Sequence, residues 1–135
     1  MKPIPVYKTD TPIILSVHSD YAYLIVRREK KVEIRRRTIP ENRPILIYST
    51  APECKVIGIA KMKYIGPLIE WTPEIGELAR ITKDKFYEYK GSKPFVHIYE
   101  IVHAVKRYPT ELKEFGLSKG PQFYARAKKI PAGWL

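Results

Sequence analysis

The sequence predicts an α+β fold: a mixed, mostly antiparallel sheet curled into a small β-barrel, with helices on its flanks. Three observations carry this expectation. Strand-length apolar runs follow one another without the regular crossover helices that a doubly wound parallel sheet requires. Helical patterns are confined to one short early segment, one stretch in the middle and short pieces near the C-terminus. Twelve prolines are spread along the chain and punctuate it into short elements. With 135 residues, 44% of them hydrophobic, the chain fits one domain over residues 1–135. A chain of this length buries roughly two-thirds of its unfolded surface, enough for a core without staples.

The elements are expected in the following order. Residues 1–12 form an N-terminal extension. "IILSV" (13–17) is a short apolar strand. "SDYAYLIVRR" (19–28) follows as a helix capped by Ser19 or Asp20, with Tyr21, Leu24 and Ile25 on one face. Tyr23 then leaves the core face. "KVEIRR" (31–36) alternates, so Val32 and Ile34 point inward while Lys31, Glu33, Arg35 and Arg37 share the other face. "ILIYST" (45–50) and "KVIGIAKMKYIG" (55–66) are further strands, with Gly58 at a bulge or a close backbone approach. A helical insertion occupies 66–94, its two helices opening at Thr72 and Thr82 and the second stopping at Gly91. "FVHIYEIVHAV" (95–105) is a long strand, and "TELKEFG" (110–116) is a short helix. Residues 120–131 fit either a helix or a strand.

Charge narrows the function. Lys plus Arg number 25 against 14 acids, a net charge of +11. Such a field attracts polyanions. RNA is the expected partner and DNA the second choice. No apolar run reaches the length of a membrane span, and no signal peptide is expected, so the protein is placed in the cytoplasm without a membrane partner. One cysteine, Cys54, excludes an internal disulfide framework and a Cys-based zinc site. His97 and His103 are six residues apart on one strand, too far for one metal, so neither metal nor cofactor is expected. Asn and Gln occur once each while Lys, Arg, Ile, Tyr and Pro are plentiful, a composition suited to heat.

The chemistry concentrates in "RREKKVEIRRR" (27–37), where seven basic side chains surround Glu29 and Glu33. Glu33 beside Arg35 can fix the guanidinium fork, which then offers its remaining donors in one direction to a phosphate or a base edge. The competing reading is a salt-bridged outer strand face of little energetic weight. Spacing alone leaves both open. Tyrosines such as Tyr23 could stack on bases if exposed, although most aromatic residues pack in cores.

The stretch "ILSVHSDYAYLIVRREKKVEIRRR" resembles the start of ASCH domains, relatives of the PUA RNA-binding fold. Their signature is a strand, a helix, then Gly-x-Lys-x-x-Glu-x-Arg. Lys30, Glu33 and Arg35 match it, while Arg28 stands at the glycine, a position where glycine often supplies a positive φ. "ILIYSTAP", "VIGIAKM" and "KGPQFY" resemble later segments of the group. The resemblance implies a PUA-like barrel of about five or six strands with a cleft beside it, lined by the signature residues and proposed to bind RNA. Lys30, Glu33 and Arg35 would line this cleft, and Lys31, Arg36 and Arg37 would steer a nucleic-acid backbone. Some relatives resemble an acetylcytidine amidohydrolase with Lys, Thr and Glu. Here Lys30 matches the Lys, but Glu33 stands at the Thr, and a carboxylate does not replace a hydroxyl nucleophile.

Three functions therefore compete. The first is an RNA-binding module. The second is an enzyme acting on a modified nucleoside or on RNA, with Lys30 and Glu33 as the catalytic candidates. The third is a DNA-binding regulator that uses the two central helices. That helix pair lacks a glycine-containing turn and carries mixed charge, unlike a recognition unit. The oligomeric state is not legible.

Overall fold

The computed structural model describes residues 11–40 and 42–135. Strand β1 (Ile13–Val17) leads into helix α1 (Ser19–Val26), then β2 (Val32–Arg35), β3 (Ile45–Ser49) and β4 (Lys55–Leu68). Helices α2 (Pro73–Ala79) and α3 (Lys83–Lys90) follow, then β5 (Val96–Thr110), a 3-10 turn (Leu112–Phe115) and β6 (Tyr124–Arg126). The strands form one mixed sheet in the order β2-β5-β4-β3-β1-β6. Only β1 and β3 run parallel; the other pairs are antiparallel. No helix among the described residues is long and apolar enough to cross a membrane.

Period-two alternation explains why β1 and β3 are buried throughout and almost wholly apolar. Ile13, Leu15, Val17, Ile45 and Ile47 face α1, where they meet Ile25 and Val26. Ile14, Leu46 and Tyr48 face the other layer, where Val56, Phe115 and Trp134 wait. Both faces are buried, so neither carries a polar alternation. Trp134 packs edge to face on Phe115 at 5.0 Å and is buried, whereas Leu135 is exposed. Gly58 sits at a register shift, and a Cβ there would lie 2.5 Å from Val26 Cγ1 and 2.6 Å from the Val105 carbonyl. The expected bulge and the expected close approach therefore coincide.

Three expectations need correction, and one alternative left open is decided. The sheet does not close into a barrel, because its backbone ladder stays open between β2 and β6. Donors beyond β2 are taken by tyrosines instead: Arg36 N–H bonds Tyr89 Oη and Ile39 N–H bonds Tyr99 Oη. Helix α1 is capped by His18, whose Nδ1 accepts from Asp20 N–H, rather than by Ser19 or Asp20. Strand β4 runs to Leu68, so the helical segment begins later than 66. Residues 120–131 contain a strand, the three-residue β6, which pairs with β1. Of the expected N-terminal extension, all but Thr11 and Pro12 lies outside the described residues.

The two central helices open where Thr72 and Thr82 accept bonds from Ile75 N–H and Lys85 N–H. They lie against β2 and the start of β5, burying Val32, Ile34, Val96 and Ile98 together with Ala79 and Phe86. They form one wall of the site described next.

Candidate functional site

The turn from α1 into β2 sets the position of Lys30. Arg28 adopts a left-handed conformation, φ 64°, at the position where the ASCH signature has glycine. A non-glycine residue there is strained, and Arg28 Nε bonds the Ala104 carbonyl at 3.0 Å. The N–H groups of Glu29 and Lys30 both return to the Leu24 carbonyl. The following residues are fastened to the C-terminus of α2: Lys31 N–H bonds the Leu78 carbonyl, and Arg80 Nε bonds the Glu29 carbonyl. Lys30 Nζ bonds the Ala79 carbonyl. A cation thus meets carbonyls that a helix end leaves without intrahelical partners.

Glu33 sits between two cations. Its Oε2 accepts from Arg35 Nη2 at 2.7 Å and from Arg35 Nε at 3.0 Å, while Oε1 lies 3.5 Å from Lys30 Nζ. Lys30 and Glu33 are only 4% and 5% exposed, so this is a buried ion network and not a solvated strand face. Burial would raise the Glu33 carboxyl, but Arg35 and then Lys30 outweigh it and hold the group below the usual 4.5. Burial likewise pushes the Lys30 ammonium below the usual 10.5; Glu33 opposes this shift and Arg35 adds to it. Arg35 also reaches the Ser16 carbonyl at 3.0 Å from Nη2, spanning the open side of the sheet. Its Nη1 has no protein partner among the described residues.

This network borders a cavity of about 290 Å³. Val17, Ile34 and Ile81 make its apolar walls, and His18, Tyr21 and Tyr89 complete it with Lys30, Glu33 and Arg35. The size is near the lower end of small-ligand pockets, roughly 300 Å³. The Lys30 ammonium lies 5.0 Å from the Tyr21 ring centroid. A second hollow, about 160 Å³, adjoins the first through Arg35 and Tyr89 and is completed by Arg36, Arg37, Gln122 and Phe123. Arg36 lies over Tyr89 at 4.9 Å and Arg37 over Phe123 at 4.9 Å.

Of the sequence-predicted site residues, Lys30, Glu33 and Arg35 come together at the cavity, and Arg36 and Arg37 line the adjoining groove. Lys31 points elsewhere, into a hollow with Arg28 and His103. Tyr23 does not join them. Its hydroxyl donates to Glu53 at 2.5 Å, its ring meets Arg27 and Lys106, and burial followed by the Glu53 contact pushes the phenol up to about 12. Tyr21 takes the place in the cavity that Tyr23 was expected to hold. His18 and Ile81 carried no sequence signal for the site, and Gln122 carried only the resemblance of "KGPQFY" to a later segment of the group. Tyr89 was one of the aromatic residues able to stack on a base, and it lies three residues after Phe86 on α3. No group of His, Cys, Asp and Glu among the described residues is arranged to hold a metal.

No family model matches the chain, and no curated protein matches it. Solved structures do. The ASCH protein from Zymomonas mobilis is 24% identical, with a TM-score of 0.78 over 88% of this chain and 89% of its own. Two single-substitution variants of that protein match at 23% identity and a TM-score of 0.75, again over 88% of this chain, and over 89% and 91% of theirs. At this identity the likeness concerns architecture, and it agrees with the resemblance carried by Lys30, Glu33 and Arg35: the chain has the fold of the ASCH-domain structures.

Proposed function

We propose that the chain binds RNA in the cleft that runs from the Lys30–Glu33–Arg35 cavity into the Arg36–Arg37 groove. One observation carries this reading. A small apolar-walled cavity with a pinned guanidinium shares Arg35 and Tyr89 with a groove where arginines lie on Tyr89 and Phe123 and, among the described residues, no carboxylate lines the surface. The cavity suits one unstacked base or nucleoside, with Tyr21 and Tyr89 as stacking partners. The groove suits phosphates, since Arg–phosphate pairs are charge-assisted and often bidentate. The ASCH signature, whose cleft is proposed to bind RNA, supports the same location.

Turnover of a modified nucleoside or of RNA is the second reading, and the lowered pKa of Lys30 favours it. The contacts of the two candidate residues favour binding. Lys30 is committed to the Ala79 carbonyl, and Glu33 is held ionised by two bonds from Arg35, which makes it a weak base. Backbone and arginine side-chain NMR signals followed during titration with a short single-stranded RNA test the proposal. The expected shifts cluster on Tyr21, Arg35, Arg36 and Tyr89. Shifts confined to other surfaces contradict it. Conversion of the RNA or of free nucleosides, read by mass spectrometry, would favour the enzyme instead.

A further inference from the structure

We infer that a third pocket, which shares Lys30 with the main cavity, binds a phosphate group, and that it extends the cleft into a track for a single RNA strand along β2. The pocket, about 170 Å³, is lined by Arg28, Lys30, Lys31 and His103 with the backbone and side chains of 101–104. Among the described residues no carboxylate lines it. Arg28 Nε is anchored on the Ala104 carbonyl, and its two Nη groups have no protein partner among the described residues. The side chains of Lys31 and His103 likewise have none. Three side chains able to donate therefore converge on one hollow, with no carboxylate beside them among the described residues. An anchored guanidinium with a free Nη pair fits two phosphate oxygens at once.

The order of the pockets gives the occupant. Lys30 is shared by this pocket and the main cavity, and Arg35 is shared by the main cavity and the Arg36–Arg37 groove. The three hollows thus succeed one another along 28–37, with the buried Lys30 and the half-buried Arg35 as the walls between them. Lys31 and Arg36 stand at opposite ends of β2, about 17 Å apart at ~3.3 Å per residue. One phosphate cannot serve both ends, whereas a strand with phosphates on either side of an inserted nucleotide can. The single-strand part of the inference rests on the RNA reading above; the phosphate pocket does not.

The test has two arms. In the first, inorganic phosphate is titrated into the wild-type protein and into Lys31→Gln/His103→Gln, with the Arg28 Nε–Hε signal followed by NMR. Neither substituted side chain has a protein partner among the described residues, so the fold is expected to persist, which a thermal melt checks. A saturable shift in wild type, weakened several-fold in the variant, supports the pocket. No saturable shift, or one the variant leaves unchanged, overturns it. In the second arm, binding of a short single-stranded RNA is measured against salt. The track predicts that the variant's log–log slope shrinks by about 0.7, the equivalent of one phosphate contact on a single strand. An unchanged slope beside a bound phosphate overturns the track and leaves an isolated phosphate site. If wild type binds no RNA, the RNA reading fails, and the phosphate titration still decides the pocket.

Discussion

Glu33 is a small feature with a large consequence, because among the described residues it alone neutralises the buried Lys30 and the half-buried Arg35. Removing it leaves Lys30 and Arg35 without a counter-charge, so Glu33→Ala is expected to cost about 3–5 kcal/mol. Acid acts on the same group. The unfolded carboxyl takes up a proton near 4.5, whereas the folded one does so only at lower pH. Between those values the unfolded state binds more protons, so the stabilisation by Glu33 is present above about 4.5 and is lost as pH falls. Denaturation curves of wild type and Glu33→Gln between pH 3 and 7 check this. Wild type should lose stability on the acid side more steeply than the variant; parallel curves would mean that Glu33 is not the linked group. The pairing of Glu33 with Arg35 was legible from their spacing. The burial of Lys30 was not, since it depends on the α2 carbonyl of Ala79, 49 residues away.

Elements were more legible than contacts. β1, β3 and the Thr-capped helices follow from apolar runs and caps that act within a few residues. The final strand β6 did not, because it has three residues and exists through its pairing with β1. Nor could sequence say that α2 and α3 would wall a cavity, as neither has a one-sided charge pattern. Phe86, fully buried between α3 and the sheet, fixes that wall. Phe86→Ala is expected to cost about 3–5 kcal/mol and to weaken RNA binding by loosening Tyr89 at the cavity edge. Chemical denaturation and a binding titration check both effects. A loss of stability with unchanged binding would show that the placement of Tyr89 does not depend on the packing of α3.

At the scale of the whole molecule, the open side of the sheet and the basic run are one feature. The ladder stops at β2 and β6, and the space between these edges is bridged by Arg35 on the Ser16 carbonyl and by Arg35 and Arg37 beside Phe123. A sheet closed by backbone hydrogen bonds would leave less room there for arginines. The sequence pattern announced curling strands and a basic segment separately, and their coincidence at one opening is a property of the tertiary fold. It also explains how acid and base share 27–37: the acid at 33 holds cations inside the opening while Arg36 and Arg37 remain at its rim.

The most direct test of this account is the salt dependence of single-stranded RNA binding, measured by fluorescence anisotropy for wild type and for Arg36→Gln/Arg37→Gln. Both side chains are exposed, so the substitutions should leave the fold intact. Wild type is predicted to lose affinity with a log–log slope of about −0.7 for each phosphate contacted. The variant should bind more weakly and with a shallower slope. Wild-type binding that ignores salt, or a variant indistinguishable from wild type, would contradict a nucleic-acid cleft at the open edge of the sheet.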